Sequence, residues 1–100
     1  MSEKLLVLED FQDKVQHPFV LELDEETQIT FTLTDCISTT VQEFPDRKRD
    51  PFHLIFTAPK TLRIPQGTYP LTHDTLGQNL LFLVPVGEKD DTIIYQVIFS

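Results

Sequence analysis

The stretch that decides the fold is IPQGTYPLTHDTLGQNLLFLVPV, residues 64–86. The proline and glycine of PQG end whatever precedes them, because proline fixes φ and lacks an N–H donor while glycine accepts conformations closed to other residues. The side chains then alternate, so that Tyr69, Leu71 and His73 share one face, as the two-residue period of a strand requires. The segment HDTLGQN supplies Asp, Gly and Asn, which favour a turn. The stretch therefore predicts a β-hairpin.

The first strand of this hairpin contains a proline. Pro70 cannot donate a hydrogen bond to a neighbouring strand. The strand at residues 68–73 is therefore predicted to lie at a sheet edge or to be locally irregular.

The second strand of the hairpin and the last strand of the chain are unusually apolar. Residues 80–86, LLFLVPV, carry no charged or hydrogen-bonding side chain, so both faces of that strand are predicted to be covered. Residues 92–99 also carry apolar side chains on both faces. The polar segment GEKDD between the two runs predicts that they pair in the middle of the sheet. Either the N-terminal segment or another subunit is expected to cover the second face.

The remaining segments extend the same pattern. Phe11 lies within LLVLEDFQDKV, whose apolar spacing predicts a short helix or turn at residues 9–15 that lays this ring on the sheet. Alternation predicts further strands at residues 19–23, 29–33 and 52–57, the second continuing past a bulge. The chain is therefore predicted to be mainly β and one domain over residues 1–100. We expect a small antiparallel barrel or a two-sheet sandwich of about six strands with one short N-terminal helix.

The charge and cysteine content of the chain restrict its partners and location. The 100 residues carry a formal net charge of −8, which favours solubility and disfavours a nucleic-acid or anionic-membrane surface. The apolar run at residues 5–8 is too short for a signal peptide or a spanning helix, so a cytoplasmic location is predicted. Cys36 is the single cysteine, which excludes an intrachain disulfide and a cysteine-based zinc site. We expect it to be a half-buried residue in a strand.

The imidazoles are the first candidates for chemistry. His17, His53 and His73 lack the short spacing of metal ligands and are interpreted as surface or strand-end residues, so no metal and no cofactor is expected. His73 and Asp74 could form an acid/base pair, with Tyr69 on the same face of the strand. The interpretation in which Asp74 caps backbone N–H groups of the turn is favoured, because no nucleophile or oxyanion site accompanies the pair. No catalytic residue is assigned.

One basic cluster is present, formed by Arg47, Lys48 and Arg49. Asp46 and Asp50 flank it in a charged segment that also contains a proline, so we interpret it as a solvated loop rather than a nucleic-acid patch. The acidic turns elsewhere in the chain lack the ligand spacing of a calcium-binding loop.

Four motifs give the chain a resemblance to a known family. LEDF near the start, DPFHLIF in the middle, and PQGTYPLTHDTLG and LFLVPVG towards the end resemble, in this order, a family of small uncharacterised bacterial single-domain proteins. The sequence departs from the pattern in having Asp50 where a Glu is usual before Pro51. The resemblance implies a compact β-rich fold and an association with phage-tail-like or other assembly proteins. It implies no activity and no functional residues.

Three functions stay open at this point. The first, which we rank highest, is a non-enzymatic structural or protein-interaction module that binds another protein or itself through a sheet edge or an apolar face. The second is a small-ligand binder or enzyme that uses His53, His73, Asp74 and Tyr69 at the mouth of a barrel. The third is nucleic-acid binding through the cluster at residues 47–49.

Overall fold

The protein folds as six β-strands and one short helix. The computed structural model describes residues 7–38 and 52–99 of the chain. The elements are α1 (Glu9–Gln12), β1 (Pro18–Glu22), β2 (Gln28–Ser38), β3 (Phe52–Pro59), β4 (Gly67–His73), β5 (Gly77–Lys89) and β6 (Thr92–Phe99). The prediction of a mainly β chain with about six strands and one short N-terminal helix is confirmed.

The strands close into an antiparallel barrel, which decides between the barrel and the sandwich. Around the barrel the order is β1, β2, β3, β6, β5, β4, so the chain forms two three-stranded meanders. The meanders meet where β3 pairs with β6 and where β1 pairs with β4. β5 and β6 pair with each other, as the sequence predicts.

The joint between β1 and β4 is the thinnest in the barrel wall. Within the described residues it contains one register pair, Val20 with Thr72, whereas β4 pairs with β5 along its whole length. Pro70 lies in β4 and offers no N–H to either neighbour. The prediction of an edge or irregular strand is wrong, because β4 has a neighbour on both sides and its register with β5 is unbroken. Its joint with β1 is nevertheless short.

Two irregularities bend the barrel wall. The register of β2 against β3 shifts between Leu33 and Asp35, and that of β5 against β6 shifts between Pro85 and Gly87. A bulge adds one residue to a strand and increases the local twist, which helps a small sheet to close. The predicted continuation of the second strand past a bulge is confirmed, and Cys36 lies half-buried beyond it.

Inward-facing side chains of all six strands fill the barrel. The Phe31 ring meets the rings of Phe56 and Tyr95 edge to face, with centroid distances of 6.4 and 5.3 Å. This arrangement suits the quadrupoles of aromatic rings. The other fully buried hydrophobic residues of the strands are Phe19, Leu21, Ile29, Leu33, Phe52, Leu54, Ala58, Leu71, Leu81, Leu83, Ile93 and Val97. Because every second strand residue points inward, alternation in the sequence identifies this core.

Residues 7–17, which we call the plug, close one end of the barrel. α1 is shorter than the predicted segment 9–15, and turns follow it to residue 16. Phe11 is buried, with its ring centroid 6.4 Å from that of Phe19, 6.0 Å from that of Phe52 and 5.8 Å from that of Phe99. The prediction that a short helical segment lays this ring on the sheet is confirmed.

The plug connects to β1 through a residue with a strained backbone. Gln16 has φ +74°, a left-handed conformation that costs a residue with a Cβ about 1 kcal/mol. Its N–H donates to the Leu33 carbonyl at 2.6 Å, and the Leu33 N–H donates to the His17 carbonyl at 3.2 Å. These two hydrogen bonds hold the end of the plug on β2.

The link between β3 and β4 closes the opposite end. Ile64 is buried there, and its N–H donates to the Tyr95 hydroxyl at 3.3 Å. The Tyr69 hydroxyl donates to the Pro65 carbonyl at 2.7 Å. Two tyrosines from different strands therefore fix this link.

The prediction that both faces of residues 80–86 are covered is wrong for the chain by itself. Leu81 and Leu83 are buried inside the barrel, but Leu80 is 71% exposed and Phe82 is 46% exposed. The plug does not cover them, because it lies at a barrel end. An apolar run predicts that a strand face is shielded from water. It does not predict whether the same chain or another chain shields it.

Candidate functional site

The four residues that the sequence suggests for a barrel mouth do not meet. His53 points outward from β3, between Ile37 of β2 and Ile98 of β6 in the register. Tyr69 reaches the link at the end opposite the plug. Only His73 and Asp74 are neighbours, because they follow one another in the chain.

His73 is the titratable side chain that the fold buries at the plugged end. It lies at the inward-facing last position of β4, is 4% exposed, and packs with its ring centroid 4.8 Å from that of Phe19. Its Nδ1 accepts the backbone N–H of Thr75 at 3.0 Å and that of Leu76 at 3.3 Å. The prediction that Asp74 caps this turn is therefore wrong, since the imidazole before it accepts these hydrogen bonds.

His17 lies against the other edge of the same imidazole. Its Nδ1 is 3.0 Å from His73 Nε2. The ring planes differ by 4° and the centroids are 5.2 Å apart, so the two rings lie edge to edge in one plane rather than one above the other. This is the geometry of a hydrogen bond between two ring nitrogens.

The hydrogen-bond donors around His73 determine the proton positions of the pair. A ring nitrogen that accepts backbone N–H groups carries no proton, so His73 is neutral with its proton on Nε2. That proton faces His17 Nδ1, which must then accept and be unprotonated too. The hydrogen bond therefore requires that neither His73 Nδ1 nor His17 Nδ1 carries a proton.

The surroundings of the pair oppose a positive charge. The pKa of His73 is lowered from its ordinary value of 6.5, first by burial and then by the charges of His17 and Lys14. The Lys14 side chain is only 13% exposed, and its ammonium group lies 2.7 Å from the carboxylate of Asp13. Asp74 and Asp13 act on the pKa of His73 in the opposite direction and more weakly.

Sequence reasoning missed this pair. The interpretation of three surface or strand-end histidines holds for His73, which ends β4, but it missed that this residue is buried. His17 and His73 are 56 positions apart, and they meet because β1 begins where β4 ends. The one signal in the sequence is that His73 shares a face with Leu71, which predicts an inward position.

The side chains of the described residues offer little else for catalysis or metal binding. Within residues 7–38 and 52–99, no three His, Cys, Asp or Glu side chains are placed to hold a metal ion. In the same residues no buried side-chain nitrogen or oxygen lacks a hydrogen-bond partner. The basic cluster Arg47, Lys48 and Arg49 lies outside the described residues. No helix in the described part of the chain is long and apolar enough to cross a membrane.

The second unusual feature is an apolar patch on the outside of the barrel. We call it the apolar outer face, and it is formed by outward-pointing residues of β3, β5 and β6: His53, Ile55, Leu80, Phe82, Val84, Gln96 and Ile98. None of them is Asp, Glu, Lys or Arg, although 24% of the chain is charged. Ile98 is 63% exposed, and Leu80 is even more accessible. Large apolar side chains this exposed on a sheet are typical of interaction surfaces.

Comparison with known proteins places the chain in a family. A family model described as "Domain of unknown function (DUF6916)" matches residues 6–99. No curated protein and no solved structure matches the chain. The resemblance to a small uncharacterised single-domain family, which the sequence motifs indicate, is thereby confirmed.

Proposed function

We propose that this chain, which belongs to the DUF6916 family, is a non-enzymatic protein-interaction module that docks through its apolar outer face. The observation that carries the proposal is the exposure of Leu80, Phe82 and Ile98 on a face without charged residues. Leaving such side chains in water forgoes roughly 1.5–3 kcal/mol each, relative to full burial. A partner that covers them recovers part of this free energy.

The occupant that we name is a second copy of the chain. With a net charge of −8, two copies repel each other wherever their acidic surfaces face one another. The apolar outer face contains no carboxylate, so two copies can meet there without placing like charges in contact. Most soluble oligomers are built from identical chains, and a twofold contact buries the same patch on both.

The closed barrel also favours a contact between faces over a contact between strand edges. Every strand has a pairing neighbour on both sides, so the sheet-edge version of the hypothesis has only the thin joint between β1 and β4 to use. The apolar outer face needs no strand rearrangement to be buried. A twofold dimer of this kind suits a building unit of a phage-tail-like or other assembly, which is the setting that the sequence motifs imply.

The ligand-binding alternative has weaker support from the geometry. It needs His53, His73, Asp74 and Tyr69 around one pocket, and the barrel separates His53 and Tyr69 from the other two. No specific observation favours nucleic-acid binding. We therefore propose neither function for this chain.

The experiment that tests the proposal is a measurement of solution mass with a matched pair of variants. Leu80→Glu places a charge on the apolar outer face, and Thr30→Glu places the same charge on the exposed side of β2. We expect the wild-type chain and Thr30→Glu to have twice the mass of one chain at micromolar concentration. Leu80→Glu is expected to be monomeric and still folded, because Leu80 makes little contact with the core.

A wild-type monomer over the whole concentration range would overturn the second copy as the occupant. A different protein chain is then the remaining occupant, and capture from native extract by the wild-type and Leu80→Glu chains compares the two surfaces. Equal capture by both would contradict the interaction function of this face.

A further inference from the structure

We propose that the His17–His73 pair is a latch that holds the plug on the barrel end while both imidazoles are neutral and releases it in acid. The proposal rests on the hydrogen bond between the two rings and on the position of His17 in the plug. It is independent of the apolar outer face, which lies on the side of the barrel.

The latch can close in only one protonation state. His73 Nδ1 is occupied by the N–H groups of Thr75 and Leu76, so a proton there would displace two backbone hydrogen bonds. A proton on His17 Nδ1 would instead face the Nε2–H of His73, and two donors cannot share a hydrogen bond. Either protonation therefore breaks a contact that the closed plug makes. The side of His17 away from His73 is on the exposed surface of the plug, since His17 is an exposed residue.

The charges around the pair turn this loss into repulsion. Lys14 belongs to the plug and bears a positive charge on a side chain that is largely buried. An imidazolium at His73, which belongs to the barrel, is therefore formed beside a cation of the plug, and their repulsion pushes the plug away from the barrel. Asp13 in the plug and Asp74 in the turn are the opposing charges, and β1 contributes the uncharged Phe19 ring.

Opening would uncover aromatic rings at the barrel end. Phe11 packs against Phe19, Phe52 and Phe99, so withdrawal of the plug exposes an aromatic socket at the barrel end. The plug is a small unit to move, because α1 has four residues and Gln16 already holds strained backbone at its base. Because the plug opens in the pH range where imidazoles take up a proton, the exposure of these rings depends on pH.

Cys36 provides a natural reporter of the plug. It is the single thiol of the chain, and its Sγ donates to the Phe11 carbonyl of the plug at 3.4 Å. Burial raises the pKa of the Cys36 thiol, and the charge of Asp35 adds to this effect. The closed plug therefore protects a protonated, poorly reactive thiol.

The test is the rate at which 4,4′-dithiodipyridine, which reacts with thiols in acid, labels Cys36 in the full chain. The rate in the folded chain is divided by the rate in urea at the same pH, which removes the intrinsic pH dependence of the thiol. We expect this ratio to rise at least about tenfold between about pH 7 and about pH 5. Far-UV circular dichroism is expected to stay unchanged, because the barrel remains folded.

Two variants identify the histidine pair as the cause. In His17→Gln the side-chain carbonyl can accept the hydrogen bond from His73 and cannot be protonated. The ratio of labelling rates is therefore expected to rise by about threefold or less over the same pH range. Gln12→Ala changes an exposed side chain of the plug that is not part of the pair, and it should leave labelling as in the wild type. A ratio that does not change with pH, an unchanged rise in His17→Gln, or labelling that appears only together with loss of the β spectrum would each overturn the latch.

Discussion

Tyr95 of the last strand holds the link at the far end of the barrel through Ile64, whose buried N–H donates to the Tyr95 hydroxyl at 3.3 Å. The two residues are 31 positions apart, and the hydrogen bond crosses from the inside of β6 to a segment without regular structure. A buried N–H in such a link has no strand partner, so the phenol supplies its acceptor.

We therefore expect Tyr95→Phe to lower the free energy of unfolding by about 1–3 kcal/mol, because the Ile64 N–H is left buried without an acceptor. Tyr69→Phe is the matched control, since it also removes one hydroxyl from the same end of the barrel. Its hydrogen bond to the Pro65 carbonyl is exposed, and water can replace it, so the expected loss is below about 1 kcal/mol. Urea denaturation of both variants measures the difference, and equal losses would contradict the assignment.

The plug predicts a second difference in stability, between two phenylalanines. Phe11→Ala is expected to cost about 3–5 kcal/mol, because the ring fills a site lined by three other aromatic rings. Phe82→Ala, on the apolar outer face, should cost less than about 1 kcal/mol in a monomer, since nearly half of that residue is exposed. Thermal or urea unfolding measures both values. Similar costs would mean that the plug contributes little to the folded barrel.

The hairpin turn predicts a third difference, between two glycines. Gly77 has φ +74° and no atom within 4 Å of an added Cβ, so Gly77→Ala meets strain in the backbone and no steric clash. The expected cost is about 1 kcal/mol. Gly87→Ala also meets open space, and no left-handed φ is found there, so its effect should lie within about 0.5 kcal/mol of zero. Chemical denaturation resolves these values if both variants are measured side by side.

Acid is expected to destabilise the fold through His73. The pKa of His73 in the fold is lowered, first by burial, from the ordinary 6.5 of the unfolded chain. A lowered folded-state pKa means that the unfolded chain binds the proton more readily. The stability contribution is therefore fully present above about pH 6.5 and is lost as the pH falls towards the folded-state value.

The rate of loss attributable to this one group is at most about 1.4 kcal/mol per pH unit. Urea unfolding at a series of pH values measures it in the wild type and in His73→Gln, whose side chain does not titrate. The variant is expected to lose stability less steeply with acid, whatever its stability at neutral pH. An identical slope in the two chains would rule out His73 as a source of the pH dependence.

Strand alternation made the barrel predictable and left the contacts between distant segments hidden. The last strand, residues 92–99, has the predicted bounds because its side chains alternate without interruption. The first hairpin strand shows the limit, since its inward face was evident and the identity of its neighbour was not. Only the pairing of Val20 with Thr72 brings the start of β1 to the end of β4, and no local pattern encodes that pairing.

The candidate site was less predictable for the same reason. The apolar run at residues 80–86 is evident from the sequence. Its hydropathy does not show whether Leu80 is buried in its own chain or against another one. His73 could be placed on an inward face, whereas its contact with His17 depends on closure of the whole barrel. In the turn, His73 rather than Asp74 accepts the backbone hydrogen bonds because of the orientation of its ring. The spacing of residues in the sequence does not predict that orientation.

The single register pair between β1 and β4 has a consequence for how the molecule fluctuates. A closed ring of strands has no edge from which to fray, so local opening must begin at one joint between strands. This joint has the fewest paired residues among the described strands. Amide protons of Val20 and its neighbours should therefore exchange with solvent before those of β6, because the barrel opens locally between β1 and β4.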